Sequence, residues 1–152
     1  MTSDARYVQR LRDADLRVTQ PRIAVLAALD ADHGHPDVET LTGAVRDRLG
    51  RISTQAVYDI LAACSQAGLV RRIAPSGGPA RFETRVGDNH HHLVCRSCGS
   101  AVDVDCAVGV APCLEPTDHA GFLLERAEVT YWGLCPACRD TDADTDEQDA
   151  AP

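Results

Sequence analysis

The chain has 152 residues, of which 44% are hydrophobic and 25% are charged, the balance of a folded protein with one ordinary domain or two very small ones. No apolar run approaches the ~20 residues of a transmembrane helix, and the first residues lack the apolar stretch of a signal peptide, so we expect a cytoplasmic protein without a membrane partner. In that compartment, seven cysteines favour metal binding or redox chemistry over a disulfide framework.

The formal net charge of −8 is divided unevenly along the chain. Residues 1–82 carry 11 Arg against 9 acidic residues, whereas residues 83–152 carry 4 Arg against 14 acidic residues. The acidic run near the end predicts a solvated, disordered tail over 140–152. The overall negative charge therefore does not exclude a DNA-binding N-terminal half.

Four helical patterns follow one another in the N-terminal part. Val8, Leu11 and Leu16 predict a short first helix, and Thr19 is a suitable N-cap for a second helix with Pro21 in its first turn. Helical spacing connects the apolar residues of the second helix, Ile23, Val25, Leu26 and Leu29. It also predicts a third helix with Val38, Leu41, Val45 and Leu49, which Gly50 closes. A fourth helix has Val57, Ile60, Leu61 and Cys64 on its inner face; Ser53 or Thr54 caps it and Gly68 ends it.

Two short β-like runs come after the fourth helix. They cover 69–74 and 80–84, and the turn residues 76–79 separate them. Three or four helices followed by a hairpin is the element order of a winged helix-turn-helix. The pattern alone also fits a helical protein-interaction domain.

The exposed face of the fourth helix carries Gln55, Tyr58 and Asp59. Gln and Tyr side chains can contact base edges or phosphates. Asp59 argues against a simple phosphate-gripping face, because its carboxylate would repel the DNA backbone.

Two CxxC pairs stand in the C-terminal part, at Cys95 and Cys98 and at Cys135 and Cys138, with residues 99–134 between them. Four thiolates in two tight turns can surround Zn²⁺ tetrahedrally, so this spacing predicts a structural zinc site. The alternatives are four reduced cysteines without a metal and a thioredoxin-like redox site, although no βαβ pattern surrounds either pair.

Three histidines lie just before the first CxxC pair. If the segment is a strand, His90 and His92 point to one face and His91 to the other. Asp103 from the next strand and Glu83 from the end of the wing can add carboxylates, and such nitrogen and oxygen ligands suit Fe²⁺, Mn²⁺ or Zn²⁺. The alternative is a solvated turn with isolated surface carboxylates.

These motifs, in this order, resemble the ferric uptake regulator family over about residues 5–139. The resemblance rests on the Arg17–Arg22 helix entry, His35-Pro36, Ala56-Val57-Tyr58, Gly68-Leu69-Val70, Arg81-Phe82-Glu83, the triple His, and both CxxC pairs with their flanking glycines. Residues 86–92 and 103–109 are similar to the actinobacterial branch of the family.

The resemblance implies an α+β protein, with a winged helix-turn-helix over 1–84 and a small α/β dimerisation and metal-sensing domain over 85–139. It implies structural Zn²⁺ at the four CxxC cysteines and a regulatory Fe²⁺ or Mn²⁺, with Zn²⁺ possible. The implied regulatory ligands are His35, Glu83, His90, His92 and Asp103, and the implied DNA contacts are Arg17, Thr19, Arg22, Gln55 and Tyr58.

The resemblance further implies a homodimeric, metal-dependent repressor that binds AT-rich inverted repeats in double-stranded DNA and takes no small organic substrate. Members of this branch are linked to a catalase-peroxidase gene and to iron or peroxide stress. Since the regulatory ligands come from both parts of the chain, we expect the metal to favour one DNA-competent dimer.

Two hypotheses of another kind stay open. One is a thiol redox switch on the same fold, using Cys106 and Cys113 or the zinc thiolates. The other is a zinc hydrolase, which would need an open zinc position and a general base. The closed set of four cysteines and the absence of a His-Glu-x-x-His motif weigh against the hydrolase.

The sequence departs from the family pattern at three places. Asp59 stands where an Arg often follows the recognition Tyr, and Glu83 stands where peroxide-sensing members usually carry Asp. A further family metal site has ligands that would fall near Asn89, Val110 and Ala127. Val and Ala side chains cannot bind metal, so we do not expect that site in its usual form.

Overall fold

A computed structural model describes residues 3–32, 35–74, 78–110 and 112–140. These residues form two compact units that divide between Gly87 and Asp88, where the sequence predicts a boundary after residue 84. The helices are α1 Ser3–Asp13, α2 Gln20–Ala31, α3 Val38–Leu49 and α4 Thr54–Gln66; the strands are β1 Arg71–Ile73, β2 Arg81–Glu83, β3 His90–Cys95, β4 Ala101–Asp105 and β5 Thr130–Gly133.

Side-chain caps start three of the four helices. The Thr19 hydroxyl accepts from the Arg22 amide before α2, Asp37 accepts from Thr40 before α3, and the Ser53 hydroxyl accepts from Ala56 before α4. Each cap satisfies one of the amides that the first turn of a helix leaves without a partner. The predicted caps at Thr19 and Ser53 are therefore present.

The core of the first unit is built from the apolar stripes of these helices. Its fully buried side chains include Tyr7, Leu11, Leu26, Leu41, Val45, Val57, Leu61 and Cys64. The third helix ends at Gly50, whose φ of 80° suits a residue without a side chain. Leu16 differs from its prediction: α1 ends at Asp13, and Leu16 packs on the core from the segment that follows.

The wing of the first unit is the antiparallel pair β1 and β2. Arg71 is paired with Glu83, Arg72 with Phe82 and Ile73 with Arg81. Both strands are shorter than the predicted runs, and Ser76 and Gly77 of the predicted turn lie outside the described residues. Four helices followed by this hairpin confirm the predicted winged-helix order.

The second unit is organised on a three-stranded sheet with the order β4-β3-β5. β4 runs antiparallel to β3 and β5 runs parallel to it. One helical turn over 136–140 follows β5. Strands and helices in both units make the chain an α+β protein, as predicted.

Membrane insertion finds no support in the described helices, because none of them is both long and apolar enough to span a bilayer. The predicted acidic tail over 140–152 lies outside the described residues from residue 141 onward.

Candidate functional site

The four CxxC cysteines converge at one end of the sheet in the second unit. Cys95 ends β3, and the helical turn that carries Cys138 begins next to Cys135. Their four sulfur atoms all lie within 4.8 Å of one another, and Cys98 Sγ is 3.7 Å from Cys135 Sγ. Sulfur ligands 2.3 Å from a tetrahedral Zn²⁺ are about 3.8 Å apart, so the donor set and its spacing fit zinc.

Backbone amides make this cluster favourable for thiolates. The Cys135 amide donates to Cys95 Sγ at 3.4 Å, and this bond, with those from the Cys98 and Ser97 amides, lowers the pKa of Cys95 to about 6. The Ser97 hydroxyl lowers the pKa of Cys138, but the thiols of Cys135 and Cys98 raise it, and the net result is about 12. Four neighbouring sulfurs cannot all ionise without a cation among them.

His90, His92 and Asp103 share one face of the same sheet. The register pairs His92 with Asp103, and His90 is two residues from His92 along β3. The Nε2 atoms of His90 and His92 lie 3.7 Å and 3.6 Å from Asp103 Oδ1. Nitrogen and oxygen ligands at 2.0–2.2 Å from a metal are about 3 to 3.5 Å apart, so these atoms need little movement to hold an ion.

Asp88 orients the first of these imidazoles, a role that the sequence reasoning missed. His90 Nδ1 lies 2.7 Å from Asp88 Oδ1, and because a carboxylate accepts, the ring N–H donates at this position. The lone pair is then at Nε2, which faces Asp103. The sequence feature that indicates this role is Asp88 itself, which lies two residues before His90 and therefore on the same side of the extended chain.

His35 and Glu83 lie together in the first unit. His35 Nε2 is 3.0 Å from Glu83 Oε2, and both side chains are buried. Arg81 donates to the His35 carbonyl at 3.2 Å, and the Phe82 amide donates to the Pro36 carbonyl, so this segment is held along β2. His35 has a φ of 57°, a left-handed conformation that is costly for a residue with a side chain and is found at functional sites.

The predicted DNA-contact residues belong to α4 and to residues 17–22 around the start of α2. Tyr58 is 50% exposed on α4, and Gln55 Nε2 donates to Asp59 Oδ1 at 2.9 Å, which occupies one oxygen of that carboxylate. Arg17, Thr19 and Arg22 line a shallow recess with Ala56, Asp59 and Ile60. Gln55 and Tyr58 are not part of its lining.

Two of these residues have intramolecular roles as well. The Thr19 hydroxyl caps α2, and Arg22 Nη1 donates to the Arg17 carbonyl at 2.7 Å. Thr19 therefore stabilises the start of α2, and Arg22 holds the segment that carries Arg17.

A further cluster, His91, Cys106 and Cys113, lies on the opposite face of the sheet from His90 and His92. One ligand-type atom from each residue lies within 4.8 Å of the others. The sequence reasoning named the two cysteines as redox candidates but did not join His91 to them. The alternation of side chains along β3 could have placed His91 on the same face as Cys106. The position of Cys113 near His91 depends on the conformation of the loop after β4, which the sequence pattern does not predict.

Comparison with known proteins identifies the family of this chain. The model described as the ferric uptake regulator family matches residues 13–129. The transcriptional regulator FurA of Mycobacterium tuberculosis is 63% identical over 142 residues, which cover 93% of this chain and 96% of that protein. Among solved structures, the Vibrio cholerae ferric uptake regulator is 29% identical with a TM-score of 0.63, covering 84% of this chain and 98% of that one.

The ferric uptake regulator from Pseudomonas aeruginosa, solved with manganese, has a TM-score of 0.65 at 28% identity and covers 86% of this chain and 98% of that chain. The similar proteins are named as regulators, and the match covers nearly their whole length. This chain has a winged-helix unit and carries clusters of metal-ligand side chains. The chain therefore belongs to the ferric uptake regulator family, and it is a metal-responsive transcriptional regulator rather than an enzyme.

Proposed function

We propose that this protein is an iron- and oxidative-stress-responsive repressor that binds AT-rich inverted-repeat operators as a homodimer in the cytoplasm. Its targets are a catalase-peroxidase gene and its own gene, a choice supported by the similarity of residues 86–92 and 103–109 to the actinobacterial branch. The observation that carries the metal dependence is the convergence of His90 Nε2 and His92 Nε2 on Asp103 Oδ1.

One Zn²⁺ per subunit has a structural role at Cys95, Cys98, Cys135 and Cys138. The sulfur spacing and the amide bond to Cys95 support this assignment. Zinc held by four thiolates has no open position, so it contributes folding free energy rather than chemistry.

The regulatory Fe²⁺ or Mn²⁺ takes His35 and Glu83 from the first unit and His90, His92 and Asp103 from the second. Three imidazoles and two carboxylates form a set of nitrogen and oxygen donors that suits these ions. The manganese in the Pseudomonas aeruginosa structure supports the choice of metal. Within each unit the donors already lie 3.0 to 3.7 Å apart.

Metal binding regulates DNA binding because its ligands belong to two separate units. An ion that needs all five side chains binds best to the arrangement in which the units present them together, and it shifts the population towards that arrangement. The same reasoning requires that operator DNA tighten metal binding by the same factor.

The first unit contacts DNA through α4, with Tyr58 at base edges and Gln55 beside it. Arg17 and Arg22, in the recess next to α4, contact phosphates. The hydrogen bond from Gln55 reduces the repulsion that Asp59 would otherwise exert on the backbone.

Dimerisation uses the second unit. Leu93, Val102 and Tyr131 are 46%, 54% and 50% exposed on one face of its sheet, and the register places them side by side. Exposed apolar side chains on neighbouring strands favour burial against a second copy of the chain.

The test is operator binding by the full-length protein with one structural zinc per chain. Binding to an AT-rich inverted repeat and to a scrambled control is measured by fluorescence anisotropy in anaerobic titrations with Fe²⁺, Mn²⁺ and Zn²⁺. We expect Fe²⁺ or Mn²⁺ to tighten binding to the inverted repeat about 10- to 100-fold, a coupling of about 1.4 to 2.7 kcal/mol. Equal affinity with and without metal would contradict the proposal.

The second candidate is a thiol and zinc redox switch, favoured by the 3.7 Å separation of Cys98 Sγ and Cys135 Sγ. Hydrogen peroxide would oxidise two thiolates to a disulfide and be reduced to water, with release of Zn²⁺. Adding peroxide to the Fe²⁺-loaded and the Mn²⁺-loaded protein, each with its structural zinc, separates the two. Loss of DNA binding and zinc in both samples favours the thiol switch, whereas loss only with Fe²⁺ favours the regulatory site.

A further inference from the structure

We propose that His91, Cys106 and Cys113 form a second zinc-binding site, distinct from the four-cysteine cluster and from the histidine and carboxylate ligands of the regulatory metal. Cys113 Sγ lies 3.2 Å from His91 Nε2, and Cys106 Sγ is within 4.8 Å of Cys113 Sγ and of a ring nitrogen of His91. Nitrogen and sulfur ligands of one tetrahedral Zn²⁺ are about 3.5 Å apart. The three donor atoms therefore surround a point that a zinc ion can occupy after small side-chain rotations.

Strand parity brings two of these residues to one face of the sheet. His91 is paired with Val104 in the β3–β4 register, and cross-strand partners point to the same side. Cys106 is two residues beyond Val104 and follows the end of β4, so it continues on that side. His90, His92 and Asp103 point to the other side, so the two sets share no donor.

A hydrogen bond ties the loop after β4 to the start of β3. The Asn89 side chain donates to the Val110 carbonyl at 3.0 Å, and Cys113 is three residues further along the loop. Asn89 and Val110 are the positions at which a further family site would have ligands. Here they fasten the loop instead, and the fastened loop returns Cys113 to His91.

The His91 ring is buried, and a metal ion at Nε2 would replace the weak contact of this nitrogen with Cys113. The His91 side chain is 3% exposed, and Nδ1 has no hydrogen-bond partner among the described residues. A buried imidazole normally has both nitrogens satisfied, yet here the Cys113 sulfur is the contact at Nε2, and the Tyr131 ring packs edge-on at 6.4 Å. A thiol is a weak hydrogen-bond partner but a strong zinc ligand.

The chemistry of the donors selects the ion. Two thiolates and one imidazole form a soft set that prefers Zn²⁺ to the harder Mn²⁺ and Fe²⁺. Three protein ligands leave the fourth tetrahedral position for a water molecule, so this zinc is expected to exchange faster than the one held by four cysteines.

Cobalt titration of the full-length protein tests this site. Reduced protein is dialysed to one zinc per chain and titrated anaerobically with Co²⁺, while absorbance and zinc content are followed together. Thiolate ligands give Co²⁺ an intense sulfur-to-metal charge-transfer band, which a site of nitrogen and oxygen donors lacks. We expect the band to reach the intensity of one thiolate-bound Co²⁺ per chain with the original zinc retained, because Co²⁺ at the regulatory ligands adds no such band.

Matched variants show which residues produce the charge-transfer band. The double variant Cys106→Ser/Cys113→Ser should lose it, His91→Ala should weaken Co²⁺ binding by more than about tenfold, and Cys64→Ala, which changes a cysteine in the core of the other unit, should keep it. Circular dichroism and the retained zinc show that each variant is folded. Wild-type protein that keeps two zinc ions through dialysis supports the proposal if the double variant keeps one.

Several results would overturn the proposal. The first is a band that grows only as zinc is released, because the cobalt would then be at the four cysteines. The second is a charge-transfer band that persists in the double variant. The third is the lack of any such band in reduced wild-type protein with one zinc. The fourth is a Cys106–Cys113 disulfide that survives reductant, which mass spectrometry would show as a protein two hydrogens lighter.

Discussion

At the scale of single residues, the alternation of β3 separates the roles of three consecutive histidines. His90 and His92 face Asp103, whereas His91 faces Cys113. We expect His90→Ala and His92→Ala each to abolish metal-activated operator binding while the four-cysteine zinc remains, because each removes one of about five regulatory ligands. His91→Ala should affect operator binding less than either neighbour. Metal content and operator affinity, measured for all three variants, check this.

The outcomes of that experiment are distinct. Loss of the tightly held zinc from His90→Ala or His92→Ala would assign these histidines to the structural site. Equal loss of operator binding in all three variants would remove the argument from strand parity. In both cases, wild-type protein and Cys64→Ala serve as the folded references.

The exposed hydroxyl of Tyr58 is a second residue-scale test. Tyr58→Phe removes one hydrogen-bonding group from the outer face of α4 and leaves the buried residues unchanged. A hydrogen bond contributes about 0.5 to 1.5 kcal/mol, so we expect specific binding to weaken about 3- to 10-fold. Binding to a scrambled operator is the control and should not change.

Arg17 should act differently, because phosphate contacts carry no sequence information. Arg17→Ala should weaken binding to specific and scrambled DNA alike. The slope of log affinity against log salt concentration should become shallower by about 0.9 for each phosphate contact that is lost. An unchanged slope would place Arg17 outside the DNA interface.

At the scale of elements, the N-caps of α2, α3 and α4 offer a graded series. The cap bonds shorten from 3.4 Å at Thr19 to 3.1 Å at Ser53 and 2.8 Å at Asp37. Replacing a cap by Ala costs about 0.5 to 2 kcal/mol of stability, and long hydrogen bonds are weak. The free energy of unfolding should therefore fall least for Thr19→Ala and most for Asp37→Ala, as urea denaturation would measure.

Thr19→Ser distinguishes two roles of Thr19, capping α2 through its hydroxyl and contacting DNA through its methyl group. The serine keeps the hydroxyl, so it should restore the stability that Thr19→Ala loses. If operator binding recovers together with stability, Thr19 acts by capping α2. If stability recovers and operator binding does not, the side chain also contacts DNA.

At the scale of the whole molecule, zinc at the four cysteines should support both folding and dimerisation. Cys95→Ser and Cys138→Ser each remove one of four thiolates from the end of the sheet that carries β3 and β5. Zinc binding to such sites contributes folding free energy, so we expect zinc loss, a lower unfolding temperature and dissociation of the dimer. Zinc analysis and analytical ultracentrifugation measure these effects.

Cys64→Ala is the matched control for these variants, since Cys64 is buried in the other unit. It should keep the zinc and the dimer. Unchanged zinc content and dimerisation in Cys95→Ser or Cys138→Ser would show that the four sulfurs are not a structural site.

Local sequence patterns predicted several helix boundaries, the zinc ligands and the faces of the three consecutive histidines. Helical periodicity, the caps at Thr19 and Ser53 and the terminating Gly50 indicate where α2 and α4 begin and where α3 ends, because these signals act within one or two turns of the chain. The paired CxxC spacing indicates zinc for the same reason, since each pair supplies two ligands from one turn. Strand parity likewise separates His91 from His90 and His92.

Contacts between residues far apart in the sequence required the tertiary structure. The pairing of His92 with Asp103 depends on the β3–β4 register, the left-handed conformation of His35 depends on its attachment to β2, and the approach of Cys113 to His91 depends on the loop after β4. Periodicity specifies which face a side chain occupies but not which distant residue stands opposite. That choice is made when strands and loops are packed, because the total free energy of burial and hydrogen bonding selects one register.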